Sequence, residues 1–180
     1  MKLILIGNIG AGKTTVANLI LERYKEAEFI SIDGIRKKYG DGTKEKETYC
    51  KEKFIQSIDF KTNFQIIELT GVGELGENLF SHLAKYKKTI LIFNLIVFEN
   101  ELLNRIKNKK WDTPFPLEKG NIPIAIKYTE NKFKEGLAEN LLARCEQAIL
   151  VSLSNNNKQM MKRNLKIIFN IIENNLKSKR

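Results

Sequence analysis

Gly7, Gly12, Lys13 and Thr14 stand at the spacing G-x-x-x-x-G-K-[ST], directly after the apolar run "LILI" of residues 3–6. Glycines let the backbone wrap closely enough for successive N–H groups to converge on a multiply charged phosphate. A helix opening at Lys13 adds the positive end of its dipole. The Lys13 ammonium is then a mobile cation for β- and γ-phosphates, and the Thr14 hydroxyl a magnesium ligand. Triphosphate binding is thus assigned to Asn8, Ile9, Gly10, Ala11 and Gly12 in the loop, with Lys13, Thr14 and Thr15 at the start of the helix.

Three further positions carry chemistry. Asp33, in "SIDGIRKKYG" (31–40), falls where an expected second strand ends, the edge on which α/β sheets build their sites. Its carboxylate can orient or deprotonate an acceptor hydroxyl, and Arg36, one helical turn on, can hold an anionic group. The other local reading makes Asp33 a helix N-cap and leaves Arg36 in solvent. Glu68, in "IIELTGVGE" (66–74), is an acid in an apolar strand, suited to holding Mg²⁺ through water. Arg105, in the basic stretch "NRIKNKKWDTPFP" (104–116), is the candidate phosphate clamp, with Lys109 as runner-up. A solvated basic helix end is the alternative there. Trp111, Pro114, Phe115 and Pro116 would stack on a base or pack a lid.

Phosphate loops serve kinases, switch GTPases and remodelling ATPases. A guanine motif N-K-x-D is missing, since "NKKW" (108–111) and "NKFK" (131–134) both lack the Asp, so GTP is the less favoured nucleotide. The strand "LIFNL" carries none of the adjacent acids a remodelling ATPase needs. ATP and a phosphoryl acceptor fit best. A nucleotide-gated switch that transfers nothing stays open beside them.

Positioning these residues requires alternating elements. Strands are expected at 2–6, 28–32, 64–69, 88–98 and 147–153. Helices are expected at 13–25, 44–59, 74–86, 122–146 with a break near Gly136, and 157–177. Such alternation predicts an α/β fold with a parallel sheet. The region 99–121 is left as a short lid, and "SNNNK" (154–158) as a candidate adenine cradle. His82, in mid-helix, is read as a packing residue.

With 180 residues, 42% apolar and 29% charged, the chain fits one globular domain over 1–180. No apolar stretch is long enough for a bilayer, and "MKLILIG" lacks the pattern of a signal peptide. Cys50 and Cys145 are too far apart in the chain to suggest a disulfide framework, so the expected location is the cytoplasm. The net charge of +10 admits a nucleic-acid partner, although abundant Lys and Asn together read equally as general composition. Only six of the 31 basic residues are Arg, which sets Arg36 and Arg105 apart.

"LILIGNIGAGKTT", "ISIDGIRKKYG" and, more loosely, "IIELTGVGE" together resemble the polynucleotide 5′-hydroxyl kinases and the related zeta-toxin and adenylate-kinase-like group. The overall pattern also resembles small AAA-type ATPases of bacteria and phages. The resemblance covers the first half of the chain. It implies a three-layer α/β/α P-loop NTPase sandwich with a five-stranded parallel sheet. It also implies that Asp33 engages an acceptor hydroxyl and Arg36 an acceptor phosphate, on a nucleic-acid 5′ end or a nucleoside or nucleotide.

Overall fold

The computed structural model describes residues 1–107, 109, 112–114 and 121–177. Its strands are β1 (Lys2–Gly7), β2 (Glu28–Ser31), β3 (Gln65–Glu68), β4 (Ile90–Ile96) and β5 (Ala148–Ser154). Its helices are α1 (Lys13–Arg23), α2 (Ile32–Tyr39), α3 (Lys44–Gln56), α4 (Gly73–Leu83), α5 (Glu99–Lys107), α6 (Ile122–Lys134), α7 (Leu137–Leu142) and α8 (Lys158–Lys177).

β1 is buried along its whole length, which is why its apolar run is continuous and not alternating. Its odd side chains, Leu3 and Leu5, pack on one face against Val16 and Ile20 of α1 and Ile168 and Ile172 of α8. Its even ones, Ile4 and Ile6, pack on the other against Phe54 of α3, Leu79 and Leu83 of α4, and Leu141 of α7. One sheet between two helical layers follows. All strand pairs are parallel and the order is β2-β3-β1-β4-β5, the expected five-stranded sandwich. In register, Leu5 of β1 lies beside Glu68 of β3, and Gly7 beside Leu95 of β4. The carboxyl ends of β1, β2 and β3 therefore open on one side, where Gly7, Ser31 and Glu68 end their strands.

Two expectations need correction. The second strand stops at Ser31, because its hydroxyl accepts from the Gly34 N–H at 3.0 Å and caps α2. Asp33 is thus in the first turn of a helix and is not its cap. The region expected to be a lid from 99 onward begins as α5, seated by fully buried Leu102. Lys110, Trp111, Phe115 and Pro116 lie outside the described residues. The break at Gly136 is present, with a left-handed φ of 85° between α6 and α7. Among the described residues no helix is long and apolar enough to cross a membrane.

Candidate phosphoryl-transfer site

The loop after β1 owes its path to glycine. Gly12 has φ +90°, and a Cβ there would stand 2.9 Å from the Asn155 side-chain nitrogen. A Cβ on Gly7 would meet the Leu95 carbonyl oxygen at 2.6 Å. The loop is tied down from several sides. Asn8 accepts from the Ile9 N–H with Oδ1 at 2.8 Å and donates from Nδ2 to the Ile126 carbonyl of α6 at 2.8 Å. Buried Asn155, just past β5, donates from Nδ2 to the Ala11 carbonyl at 2.8 Å. These ties hold the loop to α6 and to the end of β5.

Inside this frame Lys13 is buried and donates to the Gly7 and Asn8 carbonyls, each at 3.0 Å. Burial pushes its pKa down, against the pull of the Glu68 and Asp33 carboxylates. Thr14 donates its hydroxyl to Glu68, 3.0 Å from Oε1 and 2.9 Å from Oε2. Residues 54 positions apart thus meet because β3 runs alongside β1. Burial pushes the Glu68 carboxyl up, opposed by the charge of Lys13 and the Thr14 hydrogen bond.

Arg105 bonds to Glu101 at 2.8 Å, to the Gly10 carbonyl at 3.2 Å and to the Asn155 carbonyl at 2.7 Å. Its guanidinium therefore links α5, the loop after β1 and the end of β5, and it lines the cleft described below. The "SNNNK" segment likewise supplies a brace in Asn155, while Asn157 and Lys158 line the cleft.

Asp33 and Arg36 face the same cleft from α2, joined at 3.0 Å. The sequence reading missed the third member, Glu47 of α3. Both of its oxygens accept from Arg36, Oε2 from Nε at 2.8 Å and Oε1 from Nη2 at 2.5 Å. Burial works against the Arg36 charge, but the hydrogen bonds and charge of Glu47, with Asp33 behind them, outweigh it and raise the pKa. A signal for Glu47 was present. It shares one helical stripe with Cys50 and Phe54, both in the core, and a carboxylate on such a stripe demands a partner.

The loop, Asp33, Arg36, Glu47, Glu68, Arg105 and Lys109 line one cleft of about 1160 Å³, large enough for a nucleotide and a second small molecule. Among the described residues no group of three or more His, Cys, Asp or Glu is placed to hold a metal. The Thr14 and Glu68 pair is a different donor set, one hydroxyl and one buried carboxylate, and it suits a hard cation shared with phosphate oxygens. His82 packs instead, its ring 4.7 Å from that of Phe60.

No family model matches the chain, and no curated protein matches it. Solved structures do. Shikimate kinase from Bacteroides thetaiotaomicron superposes with a TM-score of 0.64 at 13% identity, over 96% of this chain and 98% of that one. Shikimate kinase from Acinetobacter baumannii, in complex with shikimate, gives 0.62 at 19%, over 96% and 93%. A gluconokinase from Sinorhizobium meliloti gives 0.59 at 12%, over 99% and 97%. At these identities the likeness is one of fold, and the chain shares the fold of these kinases.

Proposed function

We propose that the chain is an ATP-dependent phosphotransferase acting on the hydroxyl group of a small molecule. The observation that carries this reading is the meeting of Thr14 with Glu68 at 2.9 Å in the cleft that also holds Lys13 and Asp33. A plain strand-to-helix turn needs none of these. In the transfer, the acceptor oxygen bonds to the γ-phosphorus while the bond to the β–γ bridging oxygen breaks, its electron pair leaving with ADP. The hydroxyl proton passes to the Asp33 carboxylate. Lys13 holds charge on the β- and γ-phosphates, and the loop N–H groups hold the rest. Thr14 and Glu68 would hold Mg²⁺, which when bound neutralises charge on the β- and γ-oxygens. Arg105 keeps α5 against the loop through three of its five N–H donors, and as a clamp would meet phosphate with the others.

Kinase structures of this fold carry names of small-molecule acceptors, shikimate and gluconate, which supports a small acceptor over a nucleic-acid 5′ end. The engagement of Arg36 by Glu47 supports the same choice, since a 5′-end reader needs that Arg for phosphate.

The test is label transfer from γ-labelled ATP with Mg²⁺ to a panel of small alcohols, with Asp33→Asn alongside. The expected result is labelled acceptor, with the variant slower by about 10²–10⁴-fold and ATP affinity unchanged. Phosphate released only to water, at a rate indifferent to Asp33→Asn, would overturn the proposal and leave a nucleotide-gated switch.

A further inference from the structure

Two largely apolar strands carry a polar pair that the transfer site does not use. Asn94 of β4 and Ser152 of β5 lie side by side in register. Two places back, Ile92 and Leu150 pack into the layer of α3, α4 and α7, so the polar pair faces the same layer further along. There α6 and α7, joined at Gly136, leave a second cavity of about 220 Å³. No residue that lines it also lines the transfer cleft.

Asn94 is only 6% exposed, yet its amide is almost without partners. Its Nδ2 reaches the Ser152 hydroxyl at 3.5 Å, the outer limit of a hydrogen bond. Among the described residues its Oδ1 accepts from nothing. A buried amide left in this way costs free energy that a bonding ligand returns. An apolar residue would fill the same place in a covered strand at no such cost.

The lining decides the class of ligand. The cavity is smaller than the roughly 300–1,000 Å³ of sites for drug-sized molecules, so it takes about one ring system. Phe133 supplies an aromatic wall for a planar ring. The Asn94 amide sets a donor beside an acceptor, the arrangement with which Asn pairs bidentately to a base edge. The charged lining residues are Glu130, Lys134 and Glu139. Lys134 pairs with Glu130 at 3.3 Å, which leaves one carboxylate in excess and disfavours an anion.

We propose that this cavity is a second ligand site, for an uncharged nucleobase or nucleoside held by the Asn94 amide. It touches the loop after β1 at Asn8, whose carbonyl accepts from Lys13. The proposal stands independently of the phosphotransferase reading.

The full chain is given Mg²⁺ and a non-hydrolysable ATP analogue, to fill the transfer cleft. Adenine and cytosine, each with its nucleoside and nucleoside monophosphate, are then titrated. Purine and pyrimidine serve as rings that lack the exocyclic groups. The readout is the NMR signal of the Asn94 side-chain amide, which reports this cavity whatever occupies the cleft. At least one base or nucleoside is expected to move that signal with a dissociation constant of about 1 mM or tighter. Its bare ring should bind at least about tenfold more weakly. Asn94→Leu should abolish the binding, followed by calorimetry, without lowering the unfolding midpoint of the free protein. If that variant fails to fold, the contrast between base and bare ring on the native chain decides alone. Tighter binding of the nucleoside would make the source a nucleoside and the reverse a free base; either supports the site. A bare ring binding as tightly as its base would overturn the proposal, as would binding unchanged in Asn94→Leu. So would a monophosphate binding most tightly, or an Asn94 signal unmoved by every base and nucleoside at about 5 mM.

Discussion

The two ends of the cleft are built in opposite ways. At the end that, on the proposed reading, takes the triphosphate, one run from Gly7 to Thr15 lines the cleft with backbone held by glycine geometry. At the acceptor end, Asp33, Arg36, Glu47, Lys51 and Glu74 come from three helices and act through side chains. The first sets a buried Lys13 beside the buried Glu68 carboxyl. The second pairs its cations with carboxylates, Arg36 with Asp33 and Glu47, and Lys51 with Glu74. The difference teaches that such a scaffold can keep its triphosphate chemistry while its acceptor changes.

Lys13→Ala should separate the two ends most widely. Without the ammonium, charge developing on the transferring group loses its nearest cation, and turnover should fall by about 10²–10³-fold or more. Binding of the acceptor alone should stay within about twofold, because the acceptor end is built from other elements. Initial rates and acceptor titrations check this. An acceptor affinity that fell along with the rate would show the two ends to be one coupled unit.

The same contrast explains what was legible in the sequence. The loop could be read because its chemistry is local: strand, glycines, Lys and Thr follow one another without interruption. Glu68 could be read because a charge inside an apolar strand stands out. The parallel character of the sheet followed from the alternation of strands and helices, whereas the order β2-β3-β1-β4-β5 is a finding of the structure. The Arg36–Glu47 pair was not read, because it depends on the angle between α2 and α3, which no motif specifies. Only the stripe of Glu47, Cys50 and Phe54 hinted at it. Asn155 was hidden for a similar reason. Its hydrogen bond to Ala11 spans 144 residues, and its neighbours in "SNNNK" look like a simple polar turn. The end of β2 was misplaced by one residue because Ser31 serves as both strand end and helix cap.

Asn155→Ala sharpens the comparison by loosening only the phosphate end. The variant strips the buried Ala11 carbonyl of its donor, a loss of about 1–3 kcal/mol. In a chain of this size that lowers the midpoint of thermal unfolding by about 2–4 °C per kcal/mol. The loop should also hold ATP less well, while the preference among acceptors is unchanged. Unfolding scans and ATP titrations measure both effects. An unaltered midpoint would mean that Asn155 is not a brace and that the loop keeps its shape without it.

The smallest effect concerns Glu68, where the phosphate end carries a cost that the acceptor end does not. Burial raises the folded-state pKa of Glu68 above its usual value of 4.5. A carboxyl raised in this way favours the folded state while protonated, and that contribution is lost as pH rises through the folded pKa. Glu68→Gln cannot ionise and so keeps the neutral state throughout. The two unliganded proteins should therefore unfold at similar temperatures at and below about pH 4. As pH rises, Glu68→Gln should become the more stable, while phosphoryl transfer at neutral pH is impaired because the metal has lost a charged partner. Unfolding midpoints at a series of pH values, without nucleotide, give the answer. A difference that stayed constant with pH, or changed in the opposite direction, would show that Lys13 and Thr14 compensate the carboxylate fully. The phosphate end would then be relaxed in the absence of triphosphate, and not held at a cost that binding relieves.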